Sequence, residues 1–170
     1  LCEVETQSTR PDEQYHPLVE SDDFSEWNPE QKRLFGTFGW KSCWQFNHEP
    51  ELSWIENDAE KGCLRMVCRK RCKNVTQAVN TITQRMKFPV CITEVTVDAE
   101  GIKDGDYAGM CALQGCYGMA AVTKRDGQML LVMRSLEAEH DSIEGNQGNS
   151  EEIEWEAVAV ESSKIRIRME

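Results

Sequence analysis

The 170-residue sequence predicts an antiparallel all-β sandwich. Short segments in which apolar and polar residues alternate recur from about residue 44 onward, with turn residues between them. The dipeptide Asp126-Gly127, typical of a tight β-hairpin, joins two of these segments. No long amphipathic helix and no internal repeat is visible. The missing repeat disfavours a propeller, whose five blades of about 40 residues would need roughly 200 residues.

The N-terminal part lacks the strand pattern. Residues 1–21 are polar and contain Pro11 and Pro17, so they are predicted to be a linker or an edge strand. The sandwich is assigned to residues 22–170. Asp22 or Asp23 is a candidate cap for a short helical turn, but Pro29 and two glycines argue against a long helix.

The alternating pattern then predicts the strands in order. Their ranges are 44–48, 64–69, 81–86, 91–97, 108–113, 117–123, 129–134, 153–160 and 165–169. Residues 139–150 are predicted to be an acidic loop rich in Gly and Asn. The side chains expected in the core are Leu64, Met66, Val95, Val97, Met110, Leu113, Leu131, Met133, Ile165 and Ile167.

Charge and composition narrow the range of partners. The net charge is −11 and the pI is about 4.8, so nucleic acid and anionic membranes are disfavoured. No run approaches the roughly 20 apolar residues of a membrane span. A neutral polysaccharide or another protein remains compatible with this charge. No signal peptide is apparent at Leu1.

Eight cysteines are present, but none forms the CxxC pair of a strong zinc signature. Cys68 is in phase with Leu64 and Met66, and Cys111 lies inside an apolar strand. We therefore expect buried free thiols in preference to disulfides or metal ligands, and a titration close to eight thiols per chain. Free thiols in this number favour the cytoplasm over secretion.

Three segments combine strand-forming residues with planar hydrogen-bonding side chains and aromatic rings. They are WQFNH (44–48), NTITQR (80–85) and KDGDYAGMCALQGCYG (103–118). Aromatic rings can stack on the C–H face of a sugar, while amides and charged groups bind adjacent hydroxyls. Alternatively, the rings belong to the core and the polar groups tie down turns. The candidate ligand-binding residues are Trp44, Asn47, His48, Arg85, Asp106, Gln114 and Tyr117.

Several of these positions carry a second interpretation. Arg85 is able to grip a carboxylate or a diol, or to form a salt bridge with Asp106. Gly109 has no side chain, so another group is expected to approach the backbone there. The carboxylates of Asp98, Asp104 and Asp106 are a candidate calcium site, above all Asp104 and Asp106, although their spacing is not that of an EF-hand. No other cofactor is predicted.

No catalytic residue stands out. Among 30 acidic residues, no pair is distinguished as the two carboxylates that glycoside hydrolysis requires. A Gly-rich phosphate loop, a nucleophile elbow and an HExxH motif are also missing from the sequence.

The three motifs, following Asp22-Asp23-Phe24, resemble the C-terminal β-sandwich module of glycoside hydrolase family 43 β-xylosidases and arabinofuranosidases. The resemblance implies a concanavalin A-like jelly roll classed among carbohydrate-binding modules. It also implies binding of xylan or xylo-oligosaccharide, or packing against the five-bladed catalytic propeller of a parent glycosidase. The chain alone would then not be an enzyme. A structural or interaction sandwich without a sugar site is the alternative.

The sequence departs from the family after Arg134, where the acidic loop has no clear counterpart. In relatives, the strand that resembles the last one here is followed by further strands. The sandwich is therefore expected to be either smaller or truncated at its C-terminus, and a role of this chain at the catalytic pocket is correspondingly in question.

Overall fold

The structure, a computed structural model, describes residues 9, 17–26, 39–137 and 151–170. Two compact units are present: the first comprises Leu1–Arg69 and Val79–Lys87, and the second comprises Lys70–Ala78 and Phe88–Glu170. The strands of the described residues are β1 (Gln45–Phe46), β2 (Ile55–Asp58), β3 (Cys63–Met66), β4 (Ile82–Thr83), β5 (Thr93–Asp98), β6 (Tyr107–Gln114), β7 (Cys116–Arg125), β8 (Gln128–Leu136), β9 (Ile153–Ala159) and β10 (Lys164–Met169).

The described strands of the first unit form two short antiparallel pairs. β1 pairs with β4, and β2 pairs with β3. A 3-10 turn at Leu52–Trp54 leads into β2, and the side chain of Glu51 caps it by accepting from the backbone N–H of Ser53. Strands this short hold few ladder hydrogen bonds, so side chains must supply much of the local order.

The second unit contains an antiparallel four-stranded sheet in the order β6-β7-β8-β9 and a separate antiparallel pair of β5 and β10. Asp126 and Gly127 have φ of 50° and 79° and connect β7 to β8. Positive φ at both central residues is the geometry that Asp-Gly favours in tight hairpins. The predicted hairpin turn is therefore confirmed.

The four-stranded sheet has two different faces. We call face A the one that carries Tyr117, Met119, Ala121 and Thr123 of β7, all of which are buried. In β8, Val132 and Leu136 belong to the same face by register and are also buried. Val75, in the 3-10 turn Val75–Gln77, packs against the Tyr117 end of this face. Face A is thus the main apolar core of the second unit.

Face B carries the alternate residues of each strand. β5 lies beside β6 and β10 beside β7, and Thr93 Oγ1 approaches the Met110 sulfur at 3.9 Å. Val122, which points to this face, is consequently fully buried. Over β8 and β9, face B exposes large apolar side chains to solvent. Its exposed large apolar side chains there are Met133, Ile153, Trp155 and Val158.

Some predicted core positions are wrong. Met66 and Met133 are exposed, because Met66 ends β3 and Met133 lies on the open part of face B. Cys68 is also exposed and lies beyond β3, so its interpretation as a strand-interior residue was wrong. The partner strand β2 has only four residues, and this limits the length of β3. Ile167 is buried, and the remaining predicted core residues are half-buried.

The predicted fold class, all-β with antiparallel sheets, is confirmed. Within the described ranges no α-helix occurs, and no helix is long and apolar enough to cross a membrane. Asp22 and Asp23 accept from the backbone N–H groups of Phe24 and Ser25, in place of the expected helical turn.

Cys43, Cys63, Cys72, Cys91, Cys111 and Cys116 are free thiols. The predicted acidic loop at 139–150 and Cys2 lie outside the described residues.

Candidate functional site

The seven predicted ligand-binding residues are divided between the two units. Trp44, Asn47, His48 and Arg85 belong to the first unit, and Asp106, Gln114 and Tyr117 belong to the second. Their convergence into one groove stays a prediction, as does a salt bridge between Arg85 and Asp106. Each group is described below within its own unit.

Trp44 is engaged inside the first unit. Its indole Nε1 donates to Asp22 Oδ2 at 2.8 Å, and its ring stacks on Phe24 with centroids 5.7 Å apart. The neighbouring aromatic residue of the motif, Phe46, packs against Trp40 at 5.6 Å. The aromatic residues of WQFNH therefore hold the 22–24 segment and the core of this unit.

Two amides of NTITQR bind backbone. The Asn80 side chain accepts from the Glu51 N–H at 2.9 Å and donates to the Glu51 carbonyl at 3.1 Å. Gln84 does the same at Glu20, with distances of 3.1 and 3.0 Å. We call these two contacts the amide clamps. Each amide imitates a strand partner, because it satisfies both main-chain groups of one residue.

The sequence interpretation did not assign roles to Asn80 and Gln84. Asn80 adopts a φ of 62°, and the usable sequence signal was an Asn in the turn before the strand. Asn is one of the few residues other than Gly that tolerate this conformation. An amide that follows a turn and precedes a two-residue strand is well placed to bind the neighbouring main chain.

A polar surface remains on the β1–β4 pair. Gln45 lies opposite Thr83, and the Asn47 N–H donates to the Thr81 carbonyl at 3.0 Å. Alternation places Gln45, Asn47 and Thr83 on one face. His48 lies 3.3 Å from the Asn47 amide nitrogen through its Nε2 atom, and Arg85 is exposed two residues after β4. We call these residues the β1–β4 polar surface: Gln45, Asn47, His48, Thr83 and Arg85.

In the second unit, Tyr117 is buried within a charged network on face A. Its hydroxyl donates to Glu152, which also pairs with Arg134. Arg134 lies 3.5 Å from Glu154 through Nε, and its guanidinium carbon is 5.1 Å from the centre of the Tyr107 ring. We call this set the face A network: Tyr107, Tyr117, Arg125, Arg134, Glu152 and Glu154.

Arg125 closes the other end of this network. Its Nη1 donates to Glu154 Oε1 at 2.8 Å, and its Nη2 pairs with the second carboxylate oxygen. These hydrogen bonds lower the pKa of Glu154 more than its partial burial raises it. Burial, followed by the hydrogen bond to Glu152, raises the pKa of Tyr117 above its usual range. Because guanidinium groups engage both carboxylates, Glu152 and Glu154 brace the sheet.

The remaining predicted positions lie along the β6 hairpin. A Cβ added to Gly109 would overlap with the backbone of Ala120 and Ala121, so the group that approaches Gly109 is strand β7 itself. Asp104 accepts weakly from the Gly127 N–H at 3.4 Å, and the Asp106 N–H donates to the Lys103 carbonyl at 3.0 Å. Gln114 is exposed at the end of β6.

The predicted calcium ligands, Asp104 and Asp106, lie among the described residues. Among them, no group of three or more His, Cys, Asp or Glu side chains is arranged to hold a metal ion. The calcium site at Asp104 and Asp106 stays a prediction.

Comparisons with known proteins place this geometry in context. The family model of the β-xylosidase C-terminal concanavalin A-like domain matches residues 35–170. A solved structure described as a bifunctional GH43-CE from Bacteroides eggerthii is 30% identical, with a TM-score of 0.69. The match covers 86% of the present chain and 17% of that protein, so the chain spans about a sixth of its length. A search of curated proteins gives no match.

Proposed function

The chain belongs to the family of β-xylosidase C-terminal concanavalin A-like domains, and from this premise we propose that it is a non-catalytic accessory module of a xylan-degrading glycoside hydrolase. The membership confirms the family that the sequence motifs resemble. We propose further that the principal role of the module is to pack against the catalytic domain of its parent protein.

One observation supports this role most strongly. Phe88 is 97% exposed, and Val90 and Ile92, the alternate residues that follow, are 68% and 56% exposed. All three lie in the segment that leads into β5 of the second unit. Large apolar side chains displayed together are typical of surfaces that another protein covers. We call these three residues the 88–92 apolar stripe.

The face A network supports an accessory role over a catalytic one. Two carboxylates lie close together there, as in a glycosidase, but both are paired with arginine. A glycosidase acid must instead hold a proton near neutral pH, which requires a raised pKa. The pKa of Glu154 is lowered. Purified chain is accordingly expected to give no turnover of an aryl xyloside.

The packing role is tested by adding the catalytic domain of the parent protein in trans and measuring the dissociation constant by calorimetry. Phe88→Ser should weaken binding at least tenfold, since an interface loses a large apolar anchor. The matched control is Met133→Ser, which removes another exposed apolar side chain of the second unit and should change little. Equal binding by wild type and Phe88→Ser would reject the proposal.

A second candidate function is binding of xylan-type polysaccharide at the β1–β4 polar surface. It is favoured by the exposed Asn47, His48 and Arg85 side chains, which offer amide, imidazole and guanidinium groups to sugar hydroxyls. Since Phe24 covers one side of the Trp44 ring, hydrogen bonds would supply most of the affinity. Dissociation constants in the micromolar to millimolar range, roughly, are expected.

Affinity electrophoresis in xylan, paired with thermal unfolding, tests this second candidate. Arg85→Ala should reduce retardation and leave the midpoint unchanged, because the side chain is exposed. Tyr117→Ala should lower the midpoint without a specific effect on retardation, because Tyr117 is buried. A chelator added to the gel tests the proposed calcium ligands Asp104 and Asp106. Unchanged retardation of Arg85→Ala would argue against this surface.

A further inference from the structure

Trp155 is an exposed aromatic side chain that none of the roles above uses. It lies in β9 and is 58% exposed, although the indole ring is large and apolar. Its Nε1 donates to Ser135 Oγ, on β8, at 2.8 Å. Ser135 lies opposite Gly118 and so belongs to face B. The hydrogen bond therefore holds the ring over face B and satisfies its single polar atom.

A β-bulge places this ring. Arg134 pairs with Glu154 and Met133 pairs with Glu156, so Trp155 is left without a partner residue and the register shifts at this point. Bulges change the direction of a side chain relative to the regular pleat and are frequent next to binding sites. Glu154 turns toward face A and joins its network, while the bulged Trp155 reaches Ser135 on face B.

We propose that Trp155 is a stacking platform for a neutral saccharide on the β8–β9 part of face B. A pyranose with axial hydrogens on one side stacks on a flat ring, and a ring that is already immobilised loses little entropy on binding. Glu156 lies opposite Met133 on the same face, is exposed, and supplies carboxylate acceptors for hydroxyl groups beside the ring. This inference takes its ligand class from the proposed function and uses none of the residues assigned there.

The surroundings favour a sugar over other partners. The net charge of −11 and the Glu156 carboxylate disfavour an anionic glycan or a nucleic acid. The apolar neighbours Met133, Ile153 and Val158 share this face with the exposed Glu156 carboxylate, whereas residues 88–92 contain no charged side chain. A stacked sugar needs only one fixed ring with hydrogen-bonding groups at its rim, which the bulge provides.

The two tryptophans with described indole hydrogen bonds show why only one fits this role. Trp44 and Trp155 each donate their N–H at 2.8 Å to a side-chain oxygen. Phe24 stacks on the ring of Trp44. No ring of the described residues stacks on Trp155, and its exposed surface is available to a ligand.

The experiment titrates the purified chain with xylohexaose by calorimetry, with cellohexaose and polygalacturonate as further probes. Trp155→Ala should weaken binding of a neutral oligosaccharide at least tenfold. Trp155→Phe, which keeps a ring without the Ser135 bond, should weaken it about threefold. The thermal midpoint should change little in both variants, because the side chain is exposed.

Three results would overturn the proposal. The first is a wild-type chain that binds neither neutral probe, and the second is Trp155→Ala with unchanged affinity. The third is a wild-type dimer that Trp155→Ala converts to a monomer, which would make this face an interface between copies. Phe88→Ser and Arg85→Ala separate the proposals, since both should retain the Trp155-dependent part of binding. A chain that forms no complex with the catalytic domain but binds a neutral oligosaccharide through Trp155 would reject the packing role only. The stacking platform would stand.

Discussion

The two faces of the four-stranded sheet place charged and apolar groups in opposite ways. Face A holds partly buried arginine and glutamate side chains together with the buried Tyr117, Met119 and Val132. Face B, over β8 and β9, displays Met133, Ile153, Trp155 and Val158 to solvent. Charges withdrawn from water and exposed apolar patches are the informative exceptions in a folded domain. We infer that face A maintains the fold and that the open part of face B serves recognition.

The two parts of face B also differ from each other. β5 and β10 lie beside β6 and β7, and that part of face B is buried at Val122. Over β8 and β9, by contrast, Met133, Trp155 and Val158 are each at least half exposed. The following substitutions test the comparison, from the largest expected effect to the smallest.

Arg134→Met should produce the largest loss of stability. The change leaves Glu152 and Glu154, which are only 12% and 25% exposed, without their central cation. Breaking a largely buried pair on one side costs about 3 kcal/mol. Chemical denaturation measures the free energy of unfolding. Arg166→Met is the control, because the Arg166–Glu94 pair is exposed and should contribute less than about 1 kcal/mol. Similar losses in both variants would contradict the assigned role of face A.

Gly109→Ala should be the next most damaging change. The new methyl group would overlap with Ala120 and Ala121 in the adjacent strand, and such overpacking costs about 2 kcal/mol. Gly118→Ala serves as the control, since a Cβ at that position of face B meets no atom within 4 Å. A Gly109→Ala variant as stable as Gly118→Ala would show that β6 and β7 can move apart without cost.

Val132→Ala and Met133→Ala compare the faces at neighbouring residues of β8. Val132 is 1% exposed on face A, and loss of its two methyl groups should cost about 2 kcal/mol. Met133 is 52% exposed on face B, and its truncation should cost less than about 0.5 kcal/mol. Thermal unfolding measures both. An equal loss at Met133 would mean that face B is covered in solution.

The decrease in the free energy of unfolding at low pH should depend on Glu154. Hydrogen bonds from Arg125 lower the pKa of this carboxyl in the folded state, so the unfolded chain takes up its proton first as the pH falls. The resulting stabilisation is present above the ordinary carboxyl pKa and is lost below it. Glu154→Gln should therefore flatten the fall in unfolding free energy at low pH. Arg125→Met, which removes the donor of these hydrogen bonds, should flatten the fall in the same way.

Features determined by local chemistry were predictable from the sequence. Asp126-Gly127 carries its turn geometry in two residues, and the alternation in 108–113 and 117–123 identifies β6 and β7 correctly. The ends of β3 and β4 were not predictable, because they depend on a short partner strand and on amides that bind distant backbone. Those contacts join residues 29 and 64 positions apart.

The candidate site was harder to predict for the same reason. Tyr117 reads as an ordinary strand aromatic, and only its packing with Leu136 and its bond to Glu152 place it in the interior. Trp155 was assigned to a strand, but alternation within 153–160 contains no sign of a bulge. Exposure of an aromatic residue is decided by what packs over its face, and that is a property of the tertiary structure.

The amide clamps have a consequence for hydrogen exchange. Glu20 and Glu51 lie outside the described strands, and exchange at such positions is ordinarily fast. Their backbone N–H groups are nevertheless held by Gln84 and Asn80 at 3.1 and 2.9 Å. Deuterium uptake at these two amides will therefore be slow for as long as the side chains stay in place. In the first unit, slowly exchanging amides will therefore occur outside the strands as well, wherever a side chain of residues 80–85 binds the backbone.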